Sequence, residues 1–74
     1  MKTLAEQIID DLTDYPGPQV LQEYANCEYS DLGYHKTLTH TRVGGNPREF
    51  NIAWDEAMTV IKEDYYTTPG EPSQ

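Results

Sequence analysis

The chain has 74 residues, of which 13 are acidic and 5 are Lys or Arg, and its net charge is −8. A chain of this length forms one small domain with a thin stability margin, because it buries only ~60% of the surface that it exposes when unfolded. The negative charge argues against nucleic acid and anionic membranes as direct partners, since both need Lys and Arg to neutralise phosphate.

Two helices are predicted at the start of the chain. Thr3 and Glu6 have the spacing of a capping box, which begins the first helix. The apolar residues after them recur at helical spacing: Leu4, Ile8, Ile9, Leu12 and Tyr15. We predict this helix over 3–14. Pro18 suits the first position of a second helix, whose apolar stripe extends to about Cys27.

The next segment is interpreted as a β-hairpin after a loop over 28–33. Residues 36–43 alternate and are rich in β-branched types, which predicts a strand. Residues 48–54 are ambiguous, because their apolar residues alternate while Asn46-Pro47 could cap a long helix. An unpaired strand leaves backbone groups unsatisfied, and 48–54 is the only partner available. We therefore predict two paired strands, followed by a helix over 55–65.

The predicted element order is ααββα, a small α+β domain. It spans residues 1–66 and is followed by a flexible tail over 67–74, which is rich in Pro, Gly and Ser. The alternative is an all-α fold of three helices, in which the Asn46-Pro47 signal begins one long helix.

The acidic residues of the first half form the main candidate site. Glu6, Asp10 and Asp14 stand at i, i+4 and i+8, about 6 Å of helical rise apart, which is close to the spacing of successive phosphates. No Lys is placed to relieve their repulsion. Tyr29 and Tyr34 fall outside the apolar stripes and suit stacking on a partner's Arg. The predicted partner-binding residues are Glu6, Asp10, Asp11, Asp14, Glu23, Glu28, Tyr29, Asp31 and Tyr34.

Metal, cofactor and catalytic functions are not expected. His35 and His40 are an odd number of residues apart and would point to opposite faces of a strand. Cys27 has no nucleophile motif around it and is interpreted as a small core residue. General acid–base catalysis needs a sheltered pocket, which a chain of this size rarely builds.

A cytoplasmic setting is expected. Cys27 is the only cysteine, so no intramolecular disulfide can form. Acidic residues interrupt the N-terminal apolar residues, unlike a signal peptide, and no apolar run approaches the ~18 residues that span a bilayer.

These patterns favour a non-enzymatic inhibitor that binds the cationic, nucleic-acid-binding surface of a larger protein. It would mimic nucleic acid, as phage- and plasmid-encoded proteins do against restriction or CRISPR effectors. The alternative is a regulatory or assembly module whose acidic face is merely solvated and aids solubility. Such a module could be a homodimer that pairs through exposed Phe50, Trp54 or Tyr66. Only the first kind of binding should weaken steeply with salt.

Overall fold

Every regular element in the structure, a computed structural model that describes residues 1–30 and 32–66, is an α-helix. The four helices are α1 (Leu4–Asp14), α2 (Pro18–Ala25), α3 (Gly33–Val43) and α4 (Pro47–Tyr65). The predicted tail over 67–74 and the predicted contact residue Asp31 lie outside the described residues. No helix within the described ranges is long and apolar enough to cross a membrane.

The helices α1 and α2 confirm the two helices predicted at the start of the chain. The Thr3 hydroxyl accepts a hydrogen bond from the amide of Glu6 at 3.2 Å, and the Glu6 carboxylate accepts one from the amide of Thr3 at 2.8 Å. This is the predicted capping box. Pro18 is the first residue of α2, which ends at Ala25 rather than at Cys27.

The predicted β-hairpin, and with it the α+β class, is wrong. Segment 36–43 lies inside α3, and 48–54 is the first part of α4, which continues through 55–65 as one helix. The Asn46 side chain caps α4 by accepting a hydrogen bond from the amide of Glu49 at 2.9 Å. Because 36–43 pairs its amides within its own helix, it needs no partner strand. The fold is all-α, with four helices in the described ranges rather than three.

The core lies where α4 meets α1 and α2. Helix α1 packs against the three other helices, and α4 also packs against α2. The largest share of the core comes from one face of α4: Phe50, Ala53, Trp54, Ala57, Met58 and Ile61. Helices α1 and α2 add Ile8, Leu12 and Leu21, all of them fully buried.

Helices α1 and α4 run in the same direction. The start of α1, at Leu4 and Ala5, lies beside Ile52 in the first half of α4. Near their ends, the hydroxyls of Thr13 and Tyr65 are 3.5 Å apart. Between the first turn of α1 and the first half of α4, a groove opens to solvent.

Candidate protein-binding surface

The outer row of α1 consists of Glu6, Asp10 and Asp14. All three side chains are exposed, on the side of α1 opposite its buried residues. The structure therefore brings these predicted residues together on one face. Lys2 forms an ion pair with Asp10, so the expectation that no lysine relieves the row is wrong. This ion pair raises the pKa of Lys2.

Asp11, also a predicted contact residue, faces α3 instead. Its carboxylate accepts hydrogen bonds from Arg42 Nε at 2.8 Å, from Arg42 Nη2 at 2.6 Å and from the Thr39 hydroxyl at 3.1 Å. The Arg42 bonds lower the pKa of Asp11 against the opposing effect of partial burial, and Thr39 adds to the lowering. Asp11 thus joins α1 to α3, a contact that sequence spacing did not reveal.

Tyr29 and Tyr34 meet at a buried histidine. His35 is 8% exposed, and the Tyr29 hydroxyl lies 3.3 Å from its Nε2. The rings of Tyr15 and Tyr34 stand edge-on to the imidazole, with ring centroids 5.5 and 5.6 Å away. Tyr29 is half-buried, and its hydroxyl is engaged within the chain. Tyr34 is 69% exposed and remains open to a partner.

The predicted contact residues Glu23 and Glu28 flank the end of α2. The Glu23 carbonyl accepts hydrogen bonds from the amides of Glu28 at 2.7 Å and Tyr29 at 3.1 Å. Between them, Cys27 has a left-handed φ of 66° and is exposed, so its interpretation as a core residue is wrong. The Cys27 amide bonds to the Tyr24 carbonyl at 3.0 Å. Together with the Glu28 bond, this forms the Schellman motif that ends many helices.

A second exposed stripe, which the sequence reasoning missed, lies on α4. We define the outer stripe of α4 as the residues that follow one another at spacings of three or four: Glu49, Ile52, Glu56, Val60 and Glu63. Ile52 is 58% exposed and Val60 is 37% exposed. The predicted strand over 48–54 places Ile52 on an alternating face, so this stripe does not follow from that prediction. Helical spacing alone would have revealed it.

The groove between α1 and α4 borders this stripe. Its volume is about 290 Å³. Its lining mixes small apolar residues with two carboxylates: Thr3, Leu4, Ala5, Glu49, Ile52, Ala53 and Glu56. The groove is therefore apolar at its floor and negatively charged on its α4 side.

In the described part of the chain, no group of three or more His, Cys, Asp or Glu side chains is placed to hold a metal ion. The two histidines of α3 have separate surroundings, although not for the reason expected of a strand. His35 lies among tyrosines. His40 stacks on Phe50 with ring centroids 4.3 Å apart, and its Nε2 lies 2.8 Å from the Gly45 carbonyl oxygen.

Comparison of the chain with protein-family models, with curated proteins and with solved structures gave no match.

Proposed function

We propose that the protein is a non-enzymatic inhibitor that occupies the cationic, nucleic-acid-binding surface of a larger protein. The observation that carries this proposal is the shortage of internal counter-charges. Among residues 1–30 and 32–66, the ion pairs are Lys2–Asp10 and Arg42–Asp11. The other described carboxylates have no cationic partner within the described residues, and they include Asp14 and the glutamates of the outer stripe of α4.

The mechanism follows from electrostatics. Exposed carboxylates would form charge-assisted hydrogen bonds with Lys and Arg of the partner, while Tyr34 would stack on a guanidinium. Nucleic acid would then be excluded by charge and by bulk. Complementary charge chiefly speeds association and makes it sensitive to salt. Nucleases and other nucleic-acid-binding effectors form the partner class, a cytoplasmic setting is the proposed one, and a role against restriction or CRISPR effectors would fit this chemistry.

The structure changes the set of residues that should carry the binding. Asp11 is engaged with Arg42 and Thr39, so we assign it to the fold rather than to the contact surface. The outer row of α1 remains the main candidate, because the Lys2–Asp10 ion pair is exposed on both sides, whereas the Asp11 carboxylate is partly buried against α3. The homodimer alternative loses part of its basis, because Phe50 and Trp54 are only 1% and 7% exposed.

A competition experiment tests the proposal. The probe is a basic effector that co-purifies with the chain at low salt, bound to a fluorescent DNA duplex and followed by anisotropy. The parent chain should displace the duplex at low salt and fail to do so at about 0.5 M NaCl, where the Debye length is only a few ångströms.

Two variants of equal net charge separate the outer row from general acidity. The double variant Asp10→Asn/Asp14→Asn should compete at least about tenfold less well, since a desolvated charge pair contributes roughly 1.5–3 kcal/mol. The control Asp55→Asn/Asp64→Asn changes two exposed acids of α4 that belong to neither surface. It should lose less than about threefold, as expected of screened, distant charges. If the outer-row variant competes as well as the parent, the acidic face is merely solvated.

A further inference from the structure

The outer stripe of α4 carries apolar side chains that the fold does not use. Ile52 and Val60 are exposed and are absent from the buried cluster and from the residues packed against it. One exposed aliphatic residue would need no explanation. Here two lie on the same stripe, about 12 Å of helical rise apart, and alternate with three glutamates.

The groove adds a recess beside this stripe. Its floor is built from short side chains, Ala5 and Ala53, which keep the surfaces of α1 and α4 low enough to leave about 290 Å³ open. This volume is near the lower limit of small-molecule pockets, and its open side suits side chains projecting from a docked segment. Leu4 and Ile52 add apolar walls.

The glutamates beside the groove determine which kind of partner segment is complementary to it. Glu49 and Glu56 lie on the groove, Glu63 extends the same line, and the stripe contains no Lys or Arg. A second copy of the chain is a poor occupant, because its net charge is also −8 and its own glutamates would face these. A complementary segment has apolar residues every three or four positions with Lys or Arg beside them, which is the pattern of a basic amphipathic helix.

We propose that the groove and the outer stripe of α4 together form a docking site for a basic amphipathic helix of a partner protein. An aliphatic side chain of that helix enters the groove beside Ile52, a second packs near Val60, and its Lys or Arg side chains pair with the glutamates. This deepens the proposed function, on which it rests for the cationic character of the partner. It adds an apolar contact that a purely electrostatic mimic does not need.

Two synthetic peptides of identical composition test the docking site. Both contain Leu, Ala, Lys and Arg, and only the first places its leucines along one face of a helix. Titration calorimetry of the chain should show the amphipathic peptide binding at least about tenfold more tightly than the scrambled one. A tenfold difference in affinity corresponds to about 1.4 kcal/mol, which the partial burial of one or two leucine side chains of the peptide can supply. Amide chemical shifts should change most at Ala5, Ile52 and Glu56.

Variants of the chain locate the contact. Ile52→Ser should remove most of the difference between the peptides. Because Ile52 is exposed, the variant should fold as the parent chain does, which circular dichroism checks. Val60→Thr keeps the shape of the side chain and removes part of its apolar surface, so it should reduce the difference about threefold. The control Tyr66→Ser changes another exposed side chain, 52% exposed, outside the groove and the stripe, and should leave the difference unchanged.

The outcomes are distinct from those of the duplex competition. Equal binding of both peptides, unaffected by Ile52→Ser, overturns the docking site yet leaves the charge-based function to be judged by the outer-row variants. If the outer-row variants lose DNA competition but the chain shows no preference between the peptides, the proposed function stands and the docking site is overturned. A dimer of the free chain in sedimentation, dissociated by Ile52→Lys, would assign the stripe to a second copy and overturn the docking of a basic helix.

Discussion

Helices α3 and α4 follow each other in the chain, and different kinds of contact predominate in their attachment to the rest of the molecule. Helix α4 buries a continuous apolar face against α1 and α2. Helix α3 buries two residues, His35 and Thr39, and both are polar. Its attachment relies on directional bonds, from Arg42 and Thr39 to Asp11 and between His35 and Tyr29. One ring contact, the stacking of His40 on Phe50, joins it to the apolar face of α4.

This difference between apolar burial and directional bonds determines how each helix responds to pH, denaturant and substitution. Apolar burial is non-directional and accumulates with area, so the attachment of α4 does not depend on the ionisation of a single side chain. A buried hydroxyl such as that of Thr39, 0% exposed, costs free energy unless its hydrogen bond is made. We therefore expect α3 to be positioned accurately but held weakly, and to detach under conditions that leave α4 in place.

The largest expected effect is on the α4 side. Phe50→Ala removes a ring that is 1% exposed and should lower the free energy of unfolding by about 3–5 kcal/mol. That is most of the stability of a small domain, so urea titration by circular dichroism should show no cooperative transition. The control Ile52→Ala, at an exposed position of the same helix, should stay within about 0.5 kcal/mol of the parent. A parent-like transition in the Phe50 variant would mean that the face of α4 does not organise the core.

An intermediate effect is expected where α1 meets α3. Asp11→Ala leaves the buried Thr39 hydroxyl without this acceptor, and should lower the free energy of unfolding by about 1–3 kcal/mol. Amide exchange should accelerate throughout α3 but not in α4. Asp14→Ala, on the same helix with an exposed side chain, serves as the matched control and should change neither quantity appreciably. Uniform acceleration across both helices would show that they open as one unit.

The same carboxylate predicts a pH dependence. Arg42 lowers the pKa of Asp11 in the folded chain. The ionised Asp11 carboxylate therefore makes its full contribution to the free energy of unfolding above the ordinary carboxyl pKa, at about pH 4. The contribution is lost as the pH falls through the lower pKa of the folded state. Urea midpoints measured between about pH 7 and pH 2 should therefore fall less steeply in Asp11→Ala than in the parent. Parallel profiles for the two proteins would contradict the assigned role of Asp11.

The smallest effect is expected in the connection that leads into α3. Cys27→Gly removes the cost of a left-handed backbone at a residue with a Cβ atom and should raise the free energy of unfolding by about 1 kcal/mol. Cys27→Ala keeps the Cβ atom and should give no such gain. Thermal or urea unfolding measures both. If the alanine variant gains as much as the glycine variant, the thiol rather than the backbone is the source of the change.

The sequence predicted the parts of the fold whose signals are local. The capping box at Thr3, the apolar stripe of α1 and Pro18 at the start of α2 each act within a few residues, and the structure confirms them. The cap at Asn46 was also visible in the sequence. The predicted strand over 36–43, which needs 48–54 as its partner, argues against that cap.

Helix α3 could not be recognised from periodicity, because it has no apolar stripe to reveal a period of 3.6. Its buried side is made of Thr39 and His35, and their partners, Asp11 and Tyr29, are distant or outside the helix. Phe50 and Trp54 mark the buried face of α4, and the exposed Ile52 between them imitated the alternation of a strand. Of the predicted contact residues, the outer row follows from helical spacing. The inward turn of Asp11 depends on a helix that had not been predicted.

Trp54, the only tryptophan, is 7% exposed on the buried face of α4, whereas His35 is part of α3 and lies among tyrosines. The two attachments thus carry separate spectroscopic reporters within one small chain. Indole fluorescence of Trp54 reports on the buried face of α4. The imidazole proton resonances of His35, which the neighbouring ring currents shift, report on the attachment of α3. If α3 detaches before the core opens, the two signals will change at different denaturant concentrations, and the chain will not unfold as a two-state system.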